Sequence, residues 1–332
     1  LWGSVQRTVQ ASKASAQASA AQLALIKLSA QSSLAQYYFG LKSLDANQIT
    51  LDTLVKNYKA SYELVKGKFE QGLVSLGDVL IAETQYKSSQ TTALDNQISR
   101  SQYEHAIAVL IGEAPATFSL SVVPLTEDPP EIPALLPSEL LERRPDIAQA
   151  ERNMASANAQ IGVAIAAFFP KLNLSASGGY VSDSFSHWFN APSLFWSLGP
   201  GLALSLFDGG LKSSKVDAAK ATYQASVANY KQTILVALQE TEDQLVALNI
   251  LQNEKKAGLD ALESSNRSLE FVTKNYESGI AAYTDVMTAQ NVTQQNQKIL
   301  NDIKARHMLA AVNLIKALGG GWSVDNQEFK EP

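Results

Sequence analysis

The sequence contains no cysteine. That excludes disulfides, thiolate catalysis and cysteine-bound metal, and it suits an exported chain that must avoid stray crosslinks. No apolar run reaches the roughly 18 residues that a membrane-crossing helix needs. Basic charge is not in excess: 27 Lys and Arg stand against 32 Asp and Glu, a net charge of −5, so there is no electrostatic footprint for nucleic acid. The histidines His105, His187 and His307 are scattered over separate segments. Carboxylates are plentiful, but none stands in the paired, apolar-walled setting of an acid–base site. No GxxxxGK[ST] phosphate loop is present. Nothing points to an enzyme, a cofactor or a metal.

Proline is confined. All eleven lie outside two windows, Leu1 to Ala114 and Gly201 to Glu331, and seven fall between Pro115 and Pro145, which marks a connector. Inside the windows lies a long internal repeat. GLVSLGD (Gly72 to Asp78) recurs as GIAAYTD (Gly279 to Asp285), 207 residues later. Phe69 answers Tyr276, Val79 answers Val286, Gln90 answers Gln297 and Gly112 answers Gly319. Each copy follows a helical stretch of about 70 residues, a rod of about 100 Å at 1.5 Å per residue. A duplicated pair of such rods suggests a tube or a span rather than an enzyme cleft.

In the first window Leu34, Tyr37, Leu41, Leu44, Gln48, Leu51, Val55, Tyr58, Tyr62, Val65 and Phe69 alternate steps of three and four, a heptad seam. The second window reads as less regular: Val216, Ala219, Tyr223, Val227, Tyr230 and Ile234, then Leu248, Leu259, Leu262, Leu269 and Tyr276. Ala11 to Ala21 is nearly all Ala, Ser and Gln, which lets helices approach closely but buries little apolar area. Gly72 and Gly279 suit left-handed helix caps. Helical patterns restart near Asp78 and Asp285, where a carboxylate favours the positive end of the helix dipole. Capping alone accounts for both aspartates, and a further role stays open.

Between Pro170 and Phe207 the period changes to two. Leu172, Leu174, Ala176, Gly178 and Tyr180 form one face; after a turn through Asp183, Asn190 and Pro192, the face resumes at Trp196, Leu198, Pro200, Leu202, Leu204 and Leu206. Two strands of about ten residues, apolar on one side, fit a membrane-spanning hairpin. Aromatic residues near the strand ends, among them Phe169, Tyr180, Trp188 and Trp196, fit an interfacial belt. A soluble hairpin packed on a core has the same alternation. The long flanking helices, with no other β domain, favour the membrane reading. Pro200 is discordant in a strand and needs a bulge or an edge position.

The segments LPSELLERRPDIAQAER (Leu136 to Arg152), AAFFPKLNLSASGG (Ala166 to Gly179) and LFDGG (Leu206 to Gly210), with the tip motifs FEQGLVSLGDV (Phe69 to Val79) and YESGIAAYTDV (Tyr276 to Val286), resemble the TolC-like outer-membrane efflux protein family, in particular its lipoprotein branch. The resemblance implies a mainly α fold with a β-barrel contribution: a homotrimer whose long antiparallel coiled-coil helices form a periplasmic α-barrel beneath a membrane barrel of four strands per protomer. It implies the passive, gated exit duct of a tripartite drug-efflux pump in the Gram-negative outer membrane. The partners would be a periplasmic adaptor, an inner-membrane transporter of RND type and outer-membrane lipid. A type I protein-secretion duct is the nearer rival, and a non-channel periplasmic coiled-coil adaptor or scaffold the rival from another class.

On this pattern residues 1–114 are the first-repeat long helix, tip and return helix; 115–145 an equatorial connector; 146–167 the upward helix of the second repeat; 168–208 the transmembrane hairpin; 209–319 the second long helix, tip and return helix; and 320–332 a tail. The gate would lie at the tips, at Gly72, Asp78, Tyr276, Gly279, Asp285 and Thr288, with Tyr276 and Asp285 as its main residues. Where relatives often read LDAQR, this sequence has Met287 to Asn291, so a second acidic ring and its arginine are missing. Leu172, Leu174, Tyr180, Trp196, Leu198, Leu202, Leu204 and Leu206 would face lipid. At the repeat offset Leu1 falls on Asp208, just past the hairpin, and no signal pattern precedes the first helix. A further helix and hairpin, an export signal and a lipid-bearing cysteine are therefore expected upstream, in a longer protein of which this chain is an amino-terminally truncated part.

Overall fold

The computed structural model describes residues 2–130, 132 and 143–322. The Leu136 to Glu142 part of the first family motif and most of the tail lie outside the described residues. Five long helices and one hairpin follow in order: α1 (Ser4–Glu70), α2 (Leu76–Ile111), α3 (Pro145–Ala166), β1 (Lys171–Tyr180), β2 (Leu194–Ala203), α4 (Leu211–Glu277) and α5 (Tyr283–Ala317). The fold is mainly α with a small β contribution. The duplication is exact in backbone. α1 and α4 are both 67 residues long, and their starts are 207 residues apart. Glycines with positive φ recur at the same offset: Gly72 (76°) with Gly279 (76°), and Gly112 (82°) with Gly319 (90°). Even Trp2, at φ 60°, matches Gly209 at 62°.

The described residues fall into two compact units, and α1 and α4 contribute to both. One holds the start of α1, the start of α4, α3 and the hairpin. Here Ala11, Ala14, Ala18 and Ala21 are buried at heptad spacing, and α1 runs antiparallel to α3. Ser156 Oγ donates to the main-chain oxygen of Ala11 (3.1 Å) and sits 3.0 Å from Ser15 Oγ. A Cβ at Gly162 would stand 2.8 Å from the Arg7 side chain. Side chains larger than these would hold the helices apart. The entry to α3 is set by Pro145 in its first turn and by Arg144, whose Nη2 meets Asp146 Oδ2 at 2.6 Å. Trp2 stacks on Phe169 (5.2 Å between ring centroids), and its indole N–H donates to Pro170 O (2.8 Å).

β1 and β2 pair antiparallel in unbroken register from Lys171↔Ala203 to Tyr180↔Leu194. Pro200, opposite Leu174, causes no bulge; in a two-stranded sheet β2 is an edge strand, where proline is tolerated. Leu204 and Leu206 are not strand residues, contrary to the alternation in the sequence. The ladder starts at Lys171, and the next position on β1's side is Pro170, which has no N–H to donate.

The second unit holds the remainder of α1 and α4 with α2, α5 and the connector. α1 and α5 form an antiparallel central pair with three polar rungs. Gln36 Nε2 donates to Asn313 Oδ1 (2.8 Å), Asn301 Nδ2 to Asn47 Oδ1 (2.8 Å), and Tyr58 OH to Asn291 Oδ1 (2.7 Å). α2 closes on α1, where Asn96 Nδ2 donates to Gln48 Oε1 (2.8 Å). α4 closes on α5, where Thr293 Oγ1 donates to Ser265 O (3.1 Å). The α4 seam corrects the sequence reading. Ala237, Thr241, Gln244, Leu248, Leu251, Lys255, Gly258, Leu262, Ser265, Leu269, Val272 and Tyr276 are all buried or half-buried, in unbroken steps of three and four. Leu259 is exposed and outside the seam.

The connector is held by a buried ionic cluster. Asp45 is fully buried. Its Oδ1 accepts from Arg100 Nε (2.6 Å) and its Oδ2 from the backbone N–H of Val123 (2.9 Å). Arg100 also donates to Leu120 O (2.8 Å) and pairs with Glu104 (2.7 Å), which accepts from Leu120 N (2.8 Å). Farther along, Glu127 pairs with Lys42 on α1 (3.1 Å) and Asp128 with Lys255 on α4. At the repeat position of Arg100 stands His307, half-buried, with no hydrogen-bond partner for Nδ1 among the described residues. Burial, and then the charge of Lys255, holds its pKa below the ordinary imidazole value, while Asp128 pulls the other way.

Two predictions follow from this packing. Asp45→Ala leaves Arg100 Nε and the Val123 amide without their acceptor while Glu104 still pairs with the guanidinium, and should cost about 1–3 kcal/mol of unfolding free energy, read from denaturant curves by circular dichroism. Because the folded state binds a proton at His307 less tightly than the unfolded chain does, stability should fall as pH drops below the ordinary histidine value of about 6.5. His307→Gln should flatten that slope in the same denaturant curves.

Candidate functional site: the helix tips and the hairpin

Both tips use one backbone solution. At the end of α1, Gly72 N donates to Phe69 O (2.8 Å) and Leu73 N to Lys68 O (2.9 Å); at the end of α4, Gly279 N donates to Tyr276 O (3.0 Å) and Ile280 N to Asn275 O (2.8 Å). These bonds satisfy the last carbonyls, and the left-handed residue is glycine because a Cβ would clash. The return helices then start on capping boxes of unequal quality. At α2, Asp78 Oδ2 accepts from Ser75 N (3.1 Å), and Ser75 Oγ accepts from Asp78 N (3.2 Å). At α5 only the carboxylate half exists: Asp285 Oδ2 accepts from Ala282 N (3.1 Å), and the methyl of Ala282 can accept nothing. Both aspartates therefore cap helices. Asp285 is nonetheless exposed, and Asp78 is half-buried.

Behind the turns lies an aromatic core that joins the two repeats. Tyr58, Val65, Val79, Ala82, Tyr283 and Met287 are buried, with Tyr62, Tyr86 and Tyr276 packed against them. Tyr276 is held from two sides. Its ring lies 5.6 Å from that of Tyr283, and Lys68 Nζ sits 4.1 Å from its centroid, a cation–π contact. Its hydroxyl is buried with no partner among the described residues, so it is not bonded to Asp285. Thr288 is exposed and bonds back to Thr284 O (2.9 Å). Met287 fills the core.

Asn291 has a part that sequence reasoning missed. Its Oδ1 accepts from both Tyr58 OH (2.7 Å) and Gln85 Nε2 (3.0 Å), tying α5 to α1 and α2. Burial pushes the Tyr58 hydroxyl pKa up. The knot borders a polar groove of about 650 Å³ between α1, α2 and α5.

In the other unit, register puts Leu172, Leu174, Ala176, Gly178 and Tyr180 on the same face as Leu194, Trp196, Leu198, Pro200 and Leu202. Leu174 is 72% exposed, Trp196 78% and Leu202 71%, so none of the described residues covers this face. Apart from Phe195, whose ring packs beside Gly179, the opposite face is polar or small: Ser177 and Ser197 meet at 2.8 Å, and Ser175 Oγ donates to Gly199 O (3.0 Å). Leu204 and Leu206 lie past the strand and carry no face assignment.

The family model described as outer membrane efflux protein matches residues 1–113 and 136–320. The chain is 33% identical over 277 residues to the toluene efflux pump outer membrane protein TtgC of Pseudomonas putida, covering 83% of this chain and 57% of TtgC. It is 30% identical over 294 residues to the cation efflux system protein CusC of Escherichia coli, covering 88% of this chain and 64% of CusC. It thus spans only about three fifths of these relatives' length. Among solved structures, the CmeC outer membrane channel of Campylobacter jejuni superposes with a TM-score of 0.91 at 26% identity, covering 97% of this chain and 69% of CmeC.

The unequal caps give opposite expectations. Ser75→Ala should lower stability by about 1 kcal/mol, and Ala282→Ser should raise it by a similar or smaller amount. Denaturant midpoints of the two variants moving in the same direction would contradict the capping account.

Proposed function

The chain belongs to the outer membrane efflux protein family, and on that premise we propose that it forms part of a passive, gated exit duct in the outer membrane of a Gram-negative bacterium. Three copies would surround one conduit, with the helices in the periplasm and the hairpin in the barrel wall. The observation that carries this reading is the hairpin: ten-residue strands with one continuous apolar face and one face that is polar or small apart from Phe195 at the strand end, the two-sided pattern of a strand between lipid and water. A soluble adaptor or scaffold would leave that face unexplained.

The relatives favour a duct indifferent to its cargo, since one is named for toluene and another for cations. Cargo choice would then rest with the inner-membrane transporter of RND type, and opening with a periplasmic adaptor packed against the helices. Closure belongs at the tips. Threefold symmetry would bring three exposed Asp285 carboxylates near the axis, where they repel one another and draw cations. Gly72, Asp78, Tyr276, Gly279 and Thr288 would complete this gate, and the Tyr276 hydroxyl, buried and unbonded within one protomer, would have to turn outward to bond across a subunit boundary. Lipid would meet Leu172, Leu174, Tyr180, Trp196, Leu198 and Leu202.

The protein expressed from its intact gene should need detergent for purification and should conduct in planar bilayers; purification as a stable soluble species without detergent would favour the adaptor reading. Asp285→Ala should raise single-channel conductance and sensitise cells to large antibiotics. No change in either would overturn the gate assignment.

A further inference from the structure

The chain is acidic as a whole, yet the unit that carries the hairpin is basic. Residues 2–25 and 143–236 of that unit hold ten Lys and Arg against five Asp and Glu, in a chain whose net charge is −5. No Asp or Glu precedes Asp45, and none lies between Arg152 and Asp183. Three of the cations, Arg7, Lys13 and Arg152, line one recess of about 350 Å³ between α1 and α3, together with the amides of Gln10, Gln17 and Asn158. No carboxylate lines it among the described residues. Its two guanidinium groups are oriented: Arg7 Nη1 donates to Gln10 Oε1 (3.1 Å), and Arg152 Nη1 donates to Gln17 Oε1 (3.3 Å) while Nε donates to Glu151 (2.9 Å). Elsewhere on α1 and α4 surface cations have a carboxylate four residues away, as Lys59 has Glu63 and Lys274 has Glu270. Arg7 and Lys13 have none at three or four residues in either direction.

We propose that this recess binds the phosphate of an anionic phospholipid head group. Depth favours a lipid as the source. Trp2 stacks on Phe169 at the foot of β1, and aromatic rings of this kind mark the edge of the hydrocarbon. Arg7 lies five residues past Trp2, about 8 Å along the helix, at the outer limit of a head-group layer about 5–8 Å thick. Lys13 starts about 9 Å farther on, but helix side chains lean toward the amino end, which here is toward the hairpin. Arginine offers a planar fork that matches two phosphate oxygens, and lysine adds a point charge. A zwitterionic head group brings its own cation into the recess and gains less than an anionic one. The basic balance of the whole unit adds a longer-range attraction to an anionic surface.

The choice of a lipid rests on the reading that the hairpin lies in the membrane; the anion chemistry of the recess does not. Binding is measured by native mass spectrometry on the protein expressed from its intact gene and held in detergent, titrated with phosphatidylglycerol or phosphatidylcholine. Phosphatidylglycerol should bind more tightly. Each cation near an anionic surface is worth about fivefold in affinity, so Arg7→Gln should weaken phosphatidylglycerol binding about fivefold, and Arg7→Gln with Lys13→Gln about 25-fold. Both side chains are exposed, so these variants should fold, with unchanged circular dichroism. Lys215→Gln with Lys231→Gln removes the same charge from exposed positions on α4, outside the recess, and should leave binding unchanged. The proposal is overturned if the two double variants weaken binding alike, which is diffuse attraction, or if phosphatidylcholine binds as tightly as phosphatidylglycerol. It is also overturned if inorganic phosphate at the lipid's own concentration displaces it, which makes a free anion the ligand. Failure of the duct reading shows separately, as absence of conductance in planar bilayers.

Discussion

A helix of 67 residues must bury a stripe of its surface, and among the described residues its neighbours are other helices and the connector. Everything else in the structure follows from how that stripe is matched against antiparallel neighbours. The match does not rest on large apolar side chains alone. Small residues let α1 approach α3, paired amides join α1 to α5, and a threonine hydroxyl on α5 meets a main-chain carbonyl of α4. Polar seams carry a cost in free energy, since each buried group must find a partner, but they fix register in a way that an all-leucine seam would not. Helices joined in this way do not slide along one another.

The connector solves a related problem. A proline-interrupted segment has few backbone partners of its own, and Leu120 and Val123 find theirs in Arg100, Glu104 and Asp45. The same residues neutralise one another where they are buried. Duplication did not copy this arrangement: His307 stands where Arg100 would recur, and Gln252 where Asp45 would. The two halves share a backbone and differ in which polar groups they bury.

How much of this was legible depends on which physical property each element advertises. The offset of 207, the glycine turns and the capping aspartates were plain, because left-handed backbone and helix starts demand particular residue types. The first seam showed itself through apolar side chains, although Tyr37 and Phe69 of that reading are exposed. The α4 seam was hidden because Thr241, Gln244, Lys255, Gly258 and Ser265 occupy its positions; burial there follows from geometry and not from hydropathy. The hairpin face was readable, but its end was not: Leu204 and Leu206 continue the alternation after Pro170 has ended the ladder. Asp45 gave no signal at all, and Asn291 stood out only as the place of a missing arginine. Each looks like an ordinary polar residue on a helix surface, and only partners distant in sequence reveal its work.

The alanine- and serine-rich stretch near the start of α1 looks like compositional bias. Seen beside α3, it records a distance. The hydroxyl of Ser156 reaches a main-chain oxygen on the other helix, and a glycine lies under the Arg7 side chain. Spacing there is dictated by peptide backbones, so the buried positions Ala11, Ala14, Ala18 and Ala21 admit only small side chains, whereas exposed Lys13 lies outside that constraint. What resembles low complexity is, at those four positions, a tolerance limit.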